Sequence, residues 1–84
     1  MAYRVVLKKR AMKALENIPE PYYSKIRESI FRLALNPRPQ GYKKLKGREA
    51  YRIRVANYRI IYEVFDTILS IEVVDIGHRS GIYD

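Results

Sequence analysis

The apolar positions of the first 35 residues change period twice. Tyr3, Val5 and Leu7 alternate with Arg4, Val6 and Lys8, the period-two pattern of a strand. From about Lys9 the period lengthens. Ala11, Met12, Leu15 and Ile18 share one helical face, with Lys9, Arg10, Lys13, Glu16 and Asn17 largely outside it. Pro19-Glu20-Pro21 stops that helix, and Pro21 suits the first turn of the next, where its missing N–H costs nothing. Tyr23, Ile26, Ile30, Leu33 and Ala34 stripe a second helix reaching about Leu35, with Glu28 four residues before Arg32 as a favourable pair. Asn36 precedes Pro37, which pushes it out of the helical region and ends the helix. A short proline-rich joint between two helices predicts an antiparallel helical hairpin, which needs a sheet to cover.

Residues 36–48 read as a loop, with Pro37, Pro39, Gly41 and Gly47 around Tyr42-Lys43-Lys44-Leu45-Lys46. Three strand-like runs follow at about 50–55, 58–65 and 68–76, turning at Ala56-Asn57 and at Asp66-Thr67. Ala56-Asn57 lacks the glycine that usually supplies positive φ in a two-residue hairpin. With Val55 opposite Tyr58, the register pairs Arg54 with Arg59, Ile53 with Ile60, Arg52 with Ile61 and Tyr51 with Tyr62. One face then carries Tyr51, Ile53, Val55, Tyr58, Ile60 and Tyr62, continues through Val64, and packs under the helices. The other carries Arg52, Arg54, Arg59, Ile61 and Glu63 and is left for water or a ligand. A two-residue Asp66-Thr67 turn sets Val74 against Arg59 and puts Ile76 on the arginine face, with His78 after it. The expected class is α+β: an N-terminal strand, an antiparallel helical hairpin, then a three-strand antiparallel meander, in one domain over residues 1–84.

Charge sharpens this picture. Between Arg38 and Arg59 lie eight cationic side chains against Glu49 alone, a net +7 over 22 residues, while the remaining 62 stay near neutral at +1. Clustering of this kind is the footprint of a protein that meets a polyanion. Like charges opposite one another across a ladder repel, so Arg54 facing Arg59 calls for solvation or a bound anion. The start, Met1-Ala2-Tyr3-Arg4, opens directly into strand-like sequence without the apolar region of a signal peptide. No stretch approaches the roughly 18 apolar residues of a membrane helix. The absence of cysteine excludes disulfides and thiolate metal sites, and fits a cytoplasmic setting. One histidine and scattered carboxylates make no familiar metal set, and no phosphate-binding glycine loop or nucleophile elbow is present.

Asn36-Pro37-Arg38-Pro39, Lys44-Leu45-Lys46-Gly47, Tyr51-Arg52-Ile53-Arg54-Val55, Tyr58-Arg59-Ile60-Ile61-Tyr62-Glu63, Ile76-Gly77-His78-Arg79 and Ile82-Tyr83 closely resemble, as an ordered set, the RelE branch of the RelE/ParE superfamily. The resemblance spans essentially the whole chain. It implies the toxin of a type II toxin–antitoxin pair, an mRNA endonuclease that works in the ribosomal A site without metal or other cofactor. In that chemistry the RNA 2′-OH attacks the adjacent phosphorus and the 5′-oxygen leaves. By resemblance, Arg52 and Arg54 occupy the basic positions of the first meander strand, Arg59 follows the hairpin tyrosine, Arg79 follows the last strand, and Tyr83 stacks on or orients a base. Characterised members often have lysines at the first two positions. Arginine essentially never deprotonates, so the general base stays open between His78, Tyr83 and a ribosomal group.

Lys43, Lys44, Lys46, Arg48 and His78 are the further candidates for contacting RNA, the lysines as phosphate-tracking charges beside the arginine face. The implied partners are a cognate antitoxin, the ribosome and its mRNA; promoter DNA is reached only through the antitoxin complex, and no membrane is involved. The chain ends just after Tyr83-Asp84, which leaves no place for the regulatory C-terminal helix that some relatives carry. Two other readings share the fold: a ParE-like toxin that inhibits gyrase, and a non-catalytic ribosome- or RNA-binding relative.

Overall fold

The computed structural model describes residues 2–47 and 49–78. Arg4–Leu7 form strand β1, Lys9–Glu16 helix α1 and Tyr22–Leu33 helix α2; the strands β2 (Lys43–Lys44), β3 (Ala50–Val55), β4 (Tyr58–Phe65) and β5 (Ser70–His78) follow. The α+β order of strand, helical hairpin and antiparallel meander is the expected one. Two features were not legible in the sequence. Lys43–Lys44 add a short strand where a loop was expected, and β1 lies parallel to β5, giving the sheet order β1-β5-β4-β3-β2.

Both helices lie on one face of the sheet because their apolar stripes have nowhere else to go. Ala11 and Leu15 of α1, with Ile26, Ile30 and Leu33 of α2, meet the inward side chains of β3, β4 and β5. Tyr62, Ile26, Leu33, Ile60, Ile71 and Val73 are the largest side chains in this core and are fully buried. Burying each aliphatic side chain contributes roughly 1.5–3 kcal/mol, enough in sum to hold a domain without disulfides. The Glu20 carboxylate accepts hydrogen bonds from the Ser24 N–H (3.1 Å) and hydroxyl (2.7 Å), which satisfies an orphan donor in the first turn of α2. Met12, counted with the α1 stripe in sequence, is exposed instead.

The β3–β4 register is the one the alternation dictates: Tyr51 opposite Tyr62, Arg52 opposite Ile61, Ile53 opposite Ile60, Arg54 opposite Arg59 and Val55 opposite Tyr58. The β4–β5 register differs from expectation in two ways. The connection holds four residues, since Phe65 pairs with Ser70, and a bulge intervenes: Ile61 faces Asp75 but Tyr62 faces Val73, leaving Val74 as the extra residue. The longer turn shifts the register by two and keeps every side chain on its face. The bulge flips the faces beyond it. Ile76 therefore pairs with Ile60 and is buried in the helix-side core, not on the arginine face. His78 pairs with Tyr58 and moves to the helix side with it. Burial of Ile76 together with Ile71 and Val73 is the physical gain that strict alternation cannot reach.

Ala56 turns the β3–β4 hairpin with φ 54°, a conformation that costs a residue bearing a Cβ roughly 1–2 kcal/mol. Ala56→Gly removes that strain at the expense of some unfolded-state entropy. The expected result is a net stabilisation of about 0.5–1 kcal/mol, read as a Tm rise of roughly 2–8 °C.

Candidate active site

The arginine face is built by β3 and β4. Arg54 and Arg59 stand directly opposite each other, and Arg52 lies two residues from Arg54 on the same side of the strand. Arg54 is exposed and Arg59 half-buried. Arg52 is only 6% exposed, so this face is not wholly open to water as expected. Leu45 explains the difference. Its N–H donates to the Ala50 carbonyl (2.9 Å), folding the β2–β3 connection back so that Leu45 packs with Ala50, Ile61 and Val74 as a second, smaller apolar cluster. Arg52 sits between Lys43 on β2 and Ile61 on β4. Arg52, opposite Ile61 of that cluster, is thus buried, while Arg54 and Arg59 on the same face keep contact with solvent. A lower effective dielectric beside the cluster strengthens the pull of these charges on an anion.

Lys43, Lys44 and Lys46 are exposed. Lys43, opposite Arg52, joins the arginine face, whereas Lys44, opposite Tyr51, is on the helix side of the sheet and not beside the arginines as expected. Lys44 also reaches Glu49, Nζ to carboxylate 3.6 Å. Arg48, Arg79 and Tyr83 lie outside the described residues. His78 is exposed at the end of β5, its ring 5.6 Å from that of Tyr58, on the helix side of the sheet and so across the strand from Arg54 and Arg59.

Arg38 was counted in sequence with the polyanion-binding charge, but its guanidinium is engaged inside the chain. It donates to the Asp66 carboxylate at 2.9 and 3.3 Å and to the Tyr51 hydroxyl at 3.1 Å, and lies 5.1 Å from the Tyr51 ring centre. The Tyr3 hydroxyl donates to the same carboxylate (2.6 Å), and the Tyr62 hydroxyl donates to the Pro37 carbonyl (2.7 Å). Four segments distant in sequence thereby pin the loop after α2. The signal that could have revealed this is Asp66, an acid in the turn predicted to lie at that end of the sheet.

The hydrogen bonds from Arg38 and then Tyr3 hold the Asp66 carboxyl below its ordinary value. The bond to Asp66, then that to Tyr51, binds the Arg38 proton more firmly still. Burial pushes the Tyr62 phenol far above its usual range, so it remains a donor. A lowered folded pKa stabilises the fold fully above the unfolded carboxylate value of about 4 and is lost as pH falls through the folded value. The Tm advantage of the parent chain over Asp66→Asn should therefore narrow below about pH 4 and stay level from there to neutrality. Paired thermal melts across that range check it.

Among the described residues, no group of three or more His, Asp or Glu side chains could hold a metal ion, and no helix is long and apolar enough to cross a membrane. Arg54 and Arg59, side by side on one face, can offer a phosphate guanidinium donors able to bind bidentately.

The chain is similar to known proteins in sequence and in fold. A family model described as the ParE toxin of the type II toxin–antitoxin system, parDE, matches residues 5–83. A protein of Methanocaldococcus jannaschii named as a RelE1 toxin is 34% identical over 87 residues, covering 99% of this chain and 97% of its own. The chain belongs to the RelE/ParE superfamily of type II toxins. Within the superfamily it is similar to the Pyrococcus horikoshii RelE solved with RelB, at 31% identity and a TM-score of 0.85, covering 98% of this chain and 100% of that one. The RelE of Methanococcus jannaschii, also solved with RelB, is 31% identical with a TM-score of 0.76, covering 94% and 95% of the two chains. The family model bears the ParE description and the individual relatives the RelE name. The fold accommodates both, so the site must separate them.

Proposed function

We propose that this RelE/ParE toxin is an mRNA endonuclease that acts on the ribosome in the cytoplasm and is held in check by a cognate antitoxin. One observation carries the reading: Arg54 directly opposite Arg59, with Arg52 on the same face beside an apolar cluster. An opposed like-charge pair is unfavourable in the free protein and becomes favourable once a phosphate lies between the two. In the reaction a bond forms between the 2′-oxygen and phosphorus and the bond to the 5′-oxygen breaks, leaving a 2′,3′-cyclic phosphate and a 5′-hydroxyl. Arg54 and Arg59 stabilise the anionic phosphorane and Arg52 adds to their field; by the family resemblance Arg79 and Tyr83 are the further candidates. Neither Arg52 nor Arg54 can accept the 2′-OH proton. The position of His78 across the sheet argues against it as well, which leaves Tyr83 or a ribosomal group as the base. Relatives solved as RelE–RelB complexes support the antitoxin partnership.

A gyrase-directed ParE-like activity is the second reading, favoured by the description of the matching family model. Translation of a reporter mRNA with mapped 5′ ends separates the two. Discrete cuts within codons support the nuclease. Intact mRNA with gyrase-linked DNA breaks supports the ParE reading, and stalled ribosomes without cuts point to a binding protein.

A further inference from the structure

The outer edge of β3 is only half covered. β2 pairs with Tyr51 and Arg52 alone, so among the described residues no strand lies beside Ile53, Arg54 and Val55. A cleft of about 530 Å³ opens along this edge, between α2 and the loop that follows it. Its size is that of a small-ligand site. Among the described residues, Arg32 from α2 and Arg52 and Arg54 from β3 border it, and no acidic residue does. Leu33, Pro39 and Ile53 supply apolar walls, while the Ser29 hydroxyl and the Gln40 amide supply donors and acceptors. Arg32 is bonded to Glu28 one turn earlier, which fixes its guanidinium near the rim.

The geometry points to a nucleotide-binding subsite in this cleft, taking one unit of the single-stranded RNA whose neighbouring phosphate lies on the Arg54–Arg59 face. This rests on the nuclease reading for the identity of the strand. The edge of β3 at Arg52 and Arg54 borders the cleft while their side chains turn to the opposite, phosphate-binding face, so one continuous ligand reaches both by crossing the β3 edge. Arg52 and Arg54 are two residues apart, roughly 6.5–7 Å along a strand, comparable to the separation of successive phosphates in an extended nucleic acid. A base entering the cleft meets apolar walls and hydrogen-bonding groups for its edge, the combination that recognises unstacked bases. An acidic peptide satisfies the arginines but gives the apolar walls no planar group to hold.

The test uses the full chain and a 2′-O-methyl hexanucleotide, which cannot undergo 2′-OH attack, with a dinucleotide for comparison. Fluorescence anisotropy should show hexanucleotide affinity falling about tenfold in Ser29→Tyr, which fills the cleft at unchanged charge, and by a similar factor in Gln40→Glu. Met12→Glu on exposed α1 controls for net charge and should change affinity much less. Dinucleotide affinity should be equal in all four proteins, and hexanucleotide binding should shift the backbone amides of residues 40–41 and 53–55. Hexanucleotide affinity in Ser29→Tyr equal to the parent, or amide shifts confined to the β3–β4 hairpin, would overturn the subsite. So would displacement of those shifts by an acidic peptide with no RNA effect. The two readings fail separately. A chain that binds the hexanucleotide in the cleft yet cuts no mRNA on ribosomes keeps the subsite and loses the nuclease. Normal cutting with unaltered hexanucleotide binding by Ser29→Tyr does the reverse.

Discussion

Arg59→Ala should lower ribosome-dependent mRNA cleavage by about 10²–10³-fold, the usual cost of removing one fixed donor to a developing oxyanion. The same substitution should leave the fold intact. Arg59 stands opposite Arg54 across the ladder. Its side chain is half-buried and on the opposite face from the helix-side core, so truncation opens no cavity beneath the helices. Activity thus falls far more than stability, which a merely structural arginine cannot produce. Single-turnover cleavage on programmed ribosomes and a thermal melt of the same preparation give both readouts. Cleavage within a factor of two of the parent would remove the arginine face from the mechanism. A parallel loss of Tm would assign Arg59 to the scaffold.

The opposed pair was legible from sequence because β3 and β4 are joined by a two-residue turn. Short turns transmit register, and the alternation of Tyr51 through Val64 leaves one solution that buries the apolar set. The last strand was less legible for the converse reason. A bulge has no local signature in Val73-Val74-Asp75-Ile76, where two adjacent valines suit either face equally. Its consequence is functional, since it carries His78 to the helix side. Leu45 was similarly silent. In a lysine-rich stretch a single leucine reads as an exposed loop residue, and only the return of its N–H to Ala50 makes it part of the apolar cluster beside Arg52. Sequence identifies which charges are present; tertiary contacts decide which of them meet solvent.

Arg38 is the case where that distinction can be measured. Arg38→Met keeps most of the stem that packs on Tyr51 and removes the guanidinium, so it isolates the hydrogen-bonding and cation–π contributions. Loss of the bond to Tyr51 and of the contact with its ring should destabilise the domain by about 1–2 kcal/mol. The exposed pairing with Asp66 adds little, because water screens it. For a chain of this size the loss corresponds to a Tm drop of roughly 4–16 °C. RNA binding should respond differently. Each phosphate contact on a single strand contributes about 0.7 to the slope of log affinity against log salt. Lys43→Met, which removes an exposed charge beside Arg52, should lower that slope by about this amount and leave Tm nearly unchanged. Arg38→Met should lower Tm and leave the slope alone, because its guanidinium is already held by Asp66 and Tyr51. A slope that falls as much in Arg38→Met as in Lys43→Met would show that RNA draws Arg38 out of its internal bonds, and would return it to the polyanion-binding set.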